Sequence, residues 1–295
     1  MKIDLHIHSK NCSDGRMSLE EIFREAVHRN IDVLSITDHD SMECQARAKA
    51  LAQEAGLEYI TGLEFNITFS HTEYTKGKAI ALDFLAYHYD FENSALREKL
   101  KEITHFRDDR ALKILEKINY EFESEGIDPL TQKDIKAIQE SVDGVFGRPH
   151  IASYLVKKGI VSDKQEAFDK YLVRCNVPKF PFGLKEASSL VHDAGGILIF
   201  AHPNDPNGTS LVKVTQSLEV QTEIIENAML AYIDGVECWH SRHDEKTADH
   251  YINFAKSHNL LMTGGSDCHQ NPIIMGTVDV PDFVIDQFET LKRKK

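Results

Sequence analysis

Asp4-Leu-His-Ile-His-Ser9 decides how this chain is read. Ile3 to His8 has the apolar alternation of a short β-strand, and the spacing of two puts His6 and His8 on the same face. Two imidazoles at one strand end are a natural ligand pair for a borderline metal. The pair alone says little, since strands often carry surface histidines. Its weight comes from its company further along the chain. Asp14 sits in a Ser-Asp-Gly turn, where turn chemistry alone explains it. His39 ends a second strand in Thr37-Asp-His-Asp40, and Glu64 ends a third in Gly62-Leu-Glu-Phe65. His202 follows a strand in Ala201-His-Pro203, and Asp267 and His269 follow the last one in Gly265-Ser-Asp-Cys-His269. Each has a structural explanation by itself. Together they place charge at five strand ends, the face on which β/α barrels build active sites. Charged side chains gathered there repel one another unless cations bridge them.

The pattern around these residues is α/β. Ser18 opens a helix with a capping box to Glu21, Asp32–Thr37 is a strand, and a helix over 41–55 stops at Gly56. Tyr59–Glu64 and Lys78–Tyr87 read as a third and a fourth strand, which suggests parallel βα units. From Asn93 to Glu125 the chain is one long helical stretch, and shorter helices follow to about Leu172. Near Gly195 the alternation resumes with strands over 196–201, 233–238 and 260–263. The simplest reading is a β/α barrel formed by residues 1–92 and 183–295, interrupted by an all-helical insertion over 93–182.

Composition sets limits on function. Of 295 residues, 41% are hydrophobic and 27% charged, as in a globular chain with a real core. The 34 Lys and Arg against 47 Asp and Glu give a net charge of −13, which disfavours an extended nucleic-acid surface. Five cysteines without a CxxC pair read as reduced thiols. Neither a signal peptide nor a run of about eighteen apolar residues is evident, so a cytoplasmic location and no membrane partner are expected.

The quoted motifs, in this order and over the length of the chain, resemble the polymerase-and-histidinol-phosphatase (PHP) family. The insertion with Gly147-Arg-Pro-His-Ile-Ala152 is similar to the branch that hydrolyses small nucleotide and sugar phosphates, which includes nucleoside 3′,5′-bisphosphate phosphatases and 5′-3′ exonucleases of short RNA. The resemblance implies a distorted (βα)7 barrel holding two or three divalent ions, with manganese first and zinc, iron or magnesium as alternatives. One ion would take His6, His8, Glu64 and Asp267, with Glu64 bridging to a second that uses His202. A third would use Asp14, His39 and His269. At the fourth strand the family usually has His where this chain has Asp83, a harder ligand. Glu64 and Asp267 would also be catalytic, through the ions' activation of a bridging water.

Arg148 and His150 precede a helix. Spacing alone reads them as a cap with a solvated arginine, whereas the resemblance makes them phosphate ligands. In Trp239-His-Ser-Arg-His243, Arg242 could hold phosphate, and His240 or His243 could protonate the leaving oxygen; a solvated loop is the plainer reading. Trp239 itself could stack a base, though core is the plainer reading, and Arg107 and Arg110 read as surface charges. The expected function is hydrolysis of a phosphate ester of a small nucleotide, short oligonucleotide or sugar phosphate. A ribose cyclic phosphodiesterase and a non-catalytic metal-binding accessory module are the alternatives.

Overall fold

A computed structural model describes residues 1–140 and 147–292. Strand β1 (Ile3–Ile7) is buried along its whole length. Helix α1 (Leu19–His28) starts at the expected capping box, in which the Ser18 hydroxyl accepts from Glu21 N–H and the Glu21 carboxylate accepts from Ser18 N–H. Strand β2 (Val33–Ile36) lies parallel to β1, and α2 (Gln45–Ala55) ends at Gly56, whose φ of 71° suits glycine.

The single third strand expected over 59–64 is two strands. β3 (Glu58–Tyr59) runs parallel to β2, and β4 (Gly62–Phe69) starts a new sheet. Glu64 therefore lies near the start of a long strand, not at the end of a short one. The next strand, β5 (Ile80–Tyr87), pairs antiparallel with β4 from Gly62↔Tyr87 to Phe69↔Ile80. The parallel repeat fails here because residues 70–79 are too few for a crossover helix and can only return the chain as a hairpin. Helices α3 (Ser94–Glu125), α4 (Gln132–Glu140), α5 (Arg148–Lys157) and α6 (Lys164–Ala167), the last continuing into one π-helical turn at Phe168–Leu172, make up the helical segment. The chain then runs through α7 (Leu184–Asp193), β6 (Ile197–Phe200), α8 (Leu218–Ala228), β7 (Gly235–His240), α9 (Glu245–Ser257), β8 (Leu261–Gly265) and α10 (Phe283–Lys292).

β6 is antiparallel to β5, and β6, β7 and β8 are mutually parallel. The fold is thus α/β with two sheets, the parallel β1-β2-β3 and the mixed β4-β5-β6-β7-β8. Parallel bridges Ile7↔Cys268 and His39↔Glu64 join their edges. A Cβ on Gly265 would collide with the His6 backbone, so glycine is what lets β8 close on β1.

The chain divides into two compact units, Met1–Glu98 with Pro181–Lys295, and Lys99–Phe180. The first has cores on both sides of its strands: Ile22, Phe23, Leu34 and Ala48 in one, and Leu5, Leu85, Ile199 and Val284 in another. The helical unit has its own core of Ile114, Leu115, Ile118, Phe122, Ile151 and Leu155. Among the described residues, no helix is long and apolar enough to cross a membrane.

One expectation is corrected. Cys12 and Cys44 form a disulfide, with Cα atoms 6.1 Å apart, while Cys175, Cys238 and Cys268 are free and buried. The loops after β1 and β2 bring together two cysteines that are 32 residues apart in sequence. A count without a CxxC pair cannot reveal such a pairing.

Candidate metal centre

The ends of β1, β2, β6 and β8, with the start of β4, deliver one cluster of imidazoles and carboxylates. Glu64 is at its middle. Its Oε2 lies 2.9 Å from His39 Nδ1, 3.3 Å from His8 Nε2 and 3.5 Å from His6 Nε2, and its Oε1 lies 3.0 Å from His202 Nε2. Asp267 is the second hub. Its Oδ1 is 3.2 Å from His8 Nε2 and 3.5 Å from both His6 Nε2 and His269 Nδ1. Asp14 completes the outer side, with Oδ1 3.2 Å from His269 Nε2 and 3.9 Å from His39 Nε2. Overlapping groups have donor atoms close enough to share an ion, among them His6, His8 and Asp267; His6, Glu64 and His202; His8, Asp14, His39 and His269; and His6, Glu237 and His240. His202 (φ 26°) and Asp267 (φ 54°) hold left-handed backbone angles that non-glycine residues avoid. Strain of this kind, costing about 1–3 kcal/mol each, concentrates at sites where it aims a functional side chain.

Donor chemistry and burial both fit divalent cations. His6 Nε2, both ring nitrogens of His8, Glu64 Oε2 and His202 Nδ1 are buried and make no hydrogen bond. A protein interior rarely leaves so many polar atoms unsatisfied in one place without a ligand for them. Protons take that role in the metal-free cluster. Burial alone would lower the His8 pKa, but Asp267 and Glu64 outweigh it and push it up to about 10; His202 rises to about 9 against the same opposition, chiefly through Glu64. Glu64 is held well below the carboxylate range, where burial is outweighed by His39, His6 and His202. At neutral pH the metal-free His8 and His202 rings are therefore protonated, and an ion must displace those protons to reach neutral imidazole. Metal uptake at pH 7 is expected to release at least one proton per ion, and affinity should rise with pH. Calorimetry in buffers of differing ionisation enthalpy checks this; no buffer dependence would contradict it.

The other residues of the quoted motifs hold the ligand-bearing segments. Asp4 accepts from the Ser266 N–H and hydroxyl and from Gly276 N–H, tying β1 to the turn after β8. Asp38 accepts from the Ser9 N–H and hydroxyl, tying the ends of β1 and β2. Glu237 escapes the sequence reading. Fully buried on β7, it has Oε1 3.0 Å from His6 Nδ1, and its Oε2 accepts from His202 N–H at 2.7 Å. The carboxylate accepts from Nδ1–H and leaves the Nε2 lone pair of His6 facing the cluster, the usual support for a ligating histidine. A charged residue in an otherwise buried strand was the available signal, since such a group needs a partner. Glu237→Gln is expected to weaken metal binding or activity about 10- to 100-fold. Competition against a chelating dye measures it, and unchanged affinity and rate would remove Glu237 from the account.

Other expected site residues have different surroundings. Asp83 Oδ1 accepts from Asn66 Nδ2 at 2.5 Å, and its Oδ2 lies 4.0 Å from His202 Nε2, at the edge of the cluster. Arg242 Nη1 is bonded to Asp205 Oδ2 at 2.5 Å and Asp267 Oδ2 at 3.1 Å, so its guanidinium is occupied with positioning Asp267. His240 Nε2 lies 3.5 Å from Asp267 Oδ2. His243 Nδ1 donates to the Cys238 carbonyl, and burial next to His240 lowers its pKa to about 4. Its Nε2 is buried and has no hydrogen-bond partner.

In the helical unit Arg148 begins α5 itself, its guanidinium 5.5 Å from the Phe168 ring centroid. The His150 Nδ1 accepts from Gly147 N–H and caps the same helix. Arg110 is not a free surface charge. It bonds the Val177 carbonyl and Asn176 Oδ1, and burial together with the nearby Arg148 lowers its pKa. Two half-buried guanidiniums at close quarters favour an anion between them.

Comparison with known proteins gives concordant results. The profile described as PHP domain matches residues 4–172. The chain is 30% identical over 275 residues to a Haemophilus influenzae protein named 5′-3′ exoribonuclease, covering 91% of this chain and 90% of that one. It is 23% identical to a phosphoribosyl 1,2-cyclic phosphate 1,2-diphosphodiesterase of Eggerthella lenta, covering 90% and 93%. Among solved structures, an amidohydrolase from Chromobacterium violaceum with bound sulfate and no metal superposes with a TM-score of 0.77 at 25% identity, covering 99% of this chain and 97% of that one.

Proposed function

Because this chain belongs to the PHP-domain family and is a metal-dependent phosphoesterase, we propose that it hydrolyses phosphate esters of short oligoribonucleotides and nucleotides, working from a 5′ end. The observation that carries the reading is the Glu64–Asp267 cluster with its orphaned imidazole nitrogens, in a chain similar over its length to a 5′-3′ exoribonuclease. Its frame is read as a distorted (βα)7 ring closed through the Ile7–Cys268 and His39–Glu64 bridges, with β5 reversed.

His6, His8, Glu64 and Asp267 would hold one ion, Glu64 and His202 a second, and Asp14, His39 and His269 a third, with Asp83 at the margin. Bound divalent ions, manganese foremost, supply Lewis acidity that lowers the pKa of water and screens phosphate charge. The chain's own residues set the geometry. Glu237 fixes the His6 ring, Arg242 fixes Asp267, and the Asp4 and Asp38 hydrogen bonds lock the strand ends. His240 or His243 is assigned to hand a proton to the leaving oxygen, His240 Nε2 lying 3.5 Å from Asp267 Oδ2.

Arg148, with Arg110 beside it, is assigned to a substrate phosphate, and the helical unit to substrate choice. Loss of one charge-assisted contact, about 1.5–3 kcal/mol, implies that Arg148→Ala lowers kcat/KM roughly 10- to 100-fold with metal content unchanged. An intact kcat/KM would return Arg148 to the role of a plain helix-start residue.

The similarity to a cyclic phosphodiesterase, and Asp83 where the family usually has His, support a second reading on ribose cyclic phosphates. One assay separates them: manganese-loaded protein with 5′-phosphorylated trinucleotide, nucleoside 3′,5′-bisphosphate and ribose 1,2-cyclic phosphate. Mononucleotide release from the 5′ end is expected. Turnover of the cyclic ester alone selects the second reading, and turnover of none overturns both.

A further inference from the structure

A cavity of about 780 Å³ opens beside Asp267, His269 and His240, between the β7 end with α9 and the segment after β8. Its lining includes the apolar side chains of Trp239, Ile252, Pro272 and Val278. Its rim carries the carboxylates of Asp244, Glu245, Asp249 and Asp279, and among the described residues its lining includes no lysine. The lining guanidinium, Arg242, is already paired with Asp205 and Asp267. Such a rim repels a second phosphate, so the occupant is uncharged where the walls are and offers donors where the rim is. Continuity with Asp267 and His269 makes that occupant part of the molecule whose phosphate the cluster holds. The size is that of a small-molecule site.

We propose that this cavity is a nucleobase pocket, in which the base of the bound nucleotide lies against Trp239 and turns its amino edge to the acidic rim. The assignment rests on the reading of the neighbouring centre as acting on nucleotides. A base is the part of a nucleotide with an apolar face and N–H donors on its edge, and stacking on an aromatic side chain is how proteins hold one without strong sequence preference. Trp239 is built for that double role. One side packs edge-on against Phe283, with ring centroids 5.8 Å apart, while the ring is only partly buried and lines the cavity. The pocket separates nucleotides from sugar phosphates, which carry the same ester and no base.

Trp239 is the chain's one tryptophan, so its emission reports occupancy directly. The test titrates the protein with adenosine, guanosine, cytidine and uridine, and with ribose and inorganic phosphate as controls. At least one nucleoside should change the emission saturably, and neither control should. Ala248 also lines the cavity, and Ala248→Phe, which narrows it, should weaken the response while circular dichroism stays unchanged. In the metal-loaded enzyme the same substitution should lower the ratio of kcat/KM for a nucleotide to that for ribose 5-phosphate about tenfold, and Trp239→Ala should do likewise. Nucleosides carry no phosphate, so binding without turnover of any ester leaves the pocket standing and removes the phosphoesterase reading. Turnover of nucleotides with no emission change, or with a response that Ala248→Phe leaves intact, overturns the pocket alone.

Discussion

Glu64→Gln is expected to lower kcat/KM at least about a thousandfold, roughly 4 kcal/mol of transition-state stabilisation, and to remove bound metal with it. The two oxygens of Glu64 face different imidazoles: Oε1 meets His202, and Oε2 meets His6, His8 and His39. On the proposed reading, a carboxylate in that position would serve two ions at once. The amide keeps the volume but replaces one anionic oxygen with an NH2 that donates and cannot ligate. Both neighbouring ions should therefore weaken together, which elemental analysis of purified protein measures beside the rate. Full activity, or loss of a single ion, would remove the bridging role.

Asp267→Asn should cost a similar factor in rate but a different loss of metal. Its Oδ1 serves His6, His8 and His269, while Oδ2 faces Arg242 and His240. One ion shared with His6 and His8 should go, and the one held by Glu64 and His202 should stay. Stability carries a second signature. In the metal-free protein the Asp267 carboxyl is held well below its ordinary value, burial being outweighed by His6, His240 and His8. A carboxyl lowered by folding contributes stability above its unfolded pKa and loses it as pH falls towards the folded one. Breaking a buried charge pair costs about 3–5 kcal/mol, so metal-free Asp267→Asn should melt lower than the wild type near neutrality, with the gap closing in acid. Equal melting temperatures at pH 7 would contradict the charge assignment.

That these residues cluster was legible from their place at strand ends and from the family resemblance, which together pointed to one face of the fold. His6 and His8 share a face by a spacing of two, and turns such as Gly265-Ser-Asp-Cys-His put short polar side chains where strands end. What escaped depends on partners distant in sequence. Glu237 acquires meaning from a ring 231 residues away, and Arg242 from Asp205 and Asp267. The reversed β5 was in principle readable, since 70–79 is too short to cross a sheet. The pairing of Cys12 with Cys44 was not, because loop positions decide it. The bond of His243 Nδ1 to the Cys238 carbonyl was not legible either, because it depends on how the turn after β7 folds back.

The central claim is that these histidines and carboxylates hold divalent ions on which phosphoester hydrolysis depends. Chelated protein, reloaded stepwise with manganese and weighed for bound ions by mass spectrometry, tests it against 5′-phosphorylated trinucleotide. The account predicts no turnover in the stripped protein and turnover that appears with at least two bound ions per chain; stripped protein turning over at the full rate would contradict it.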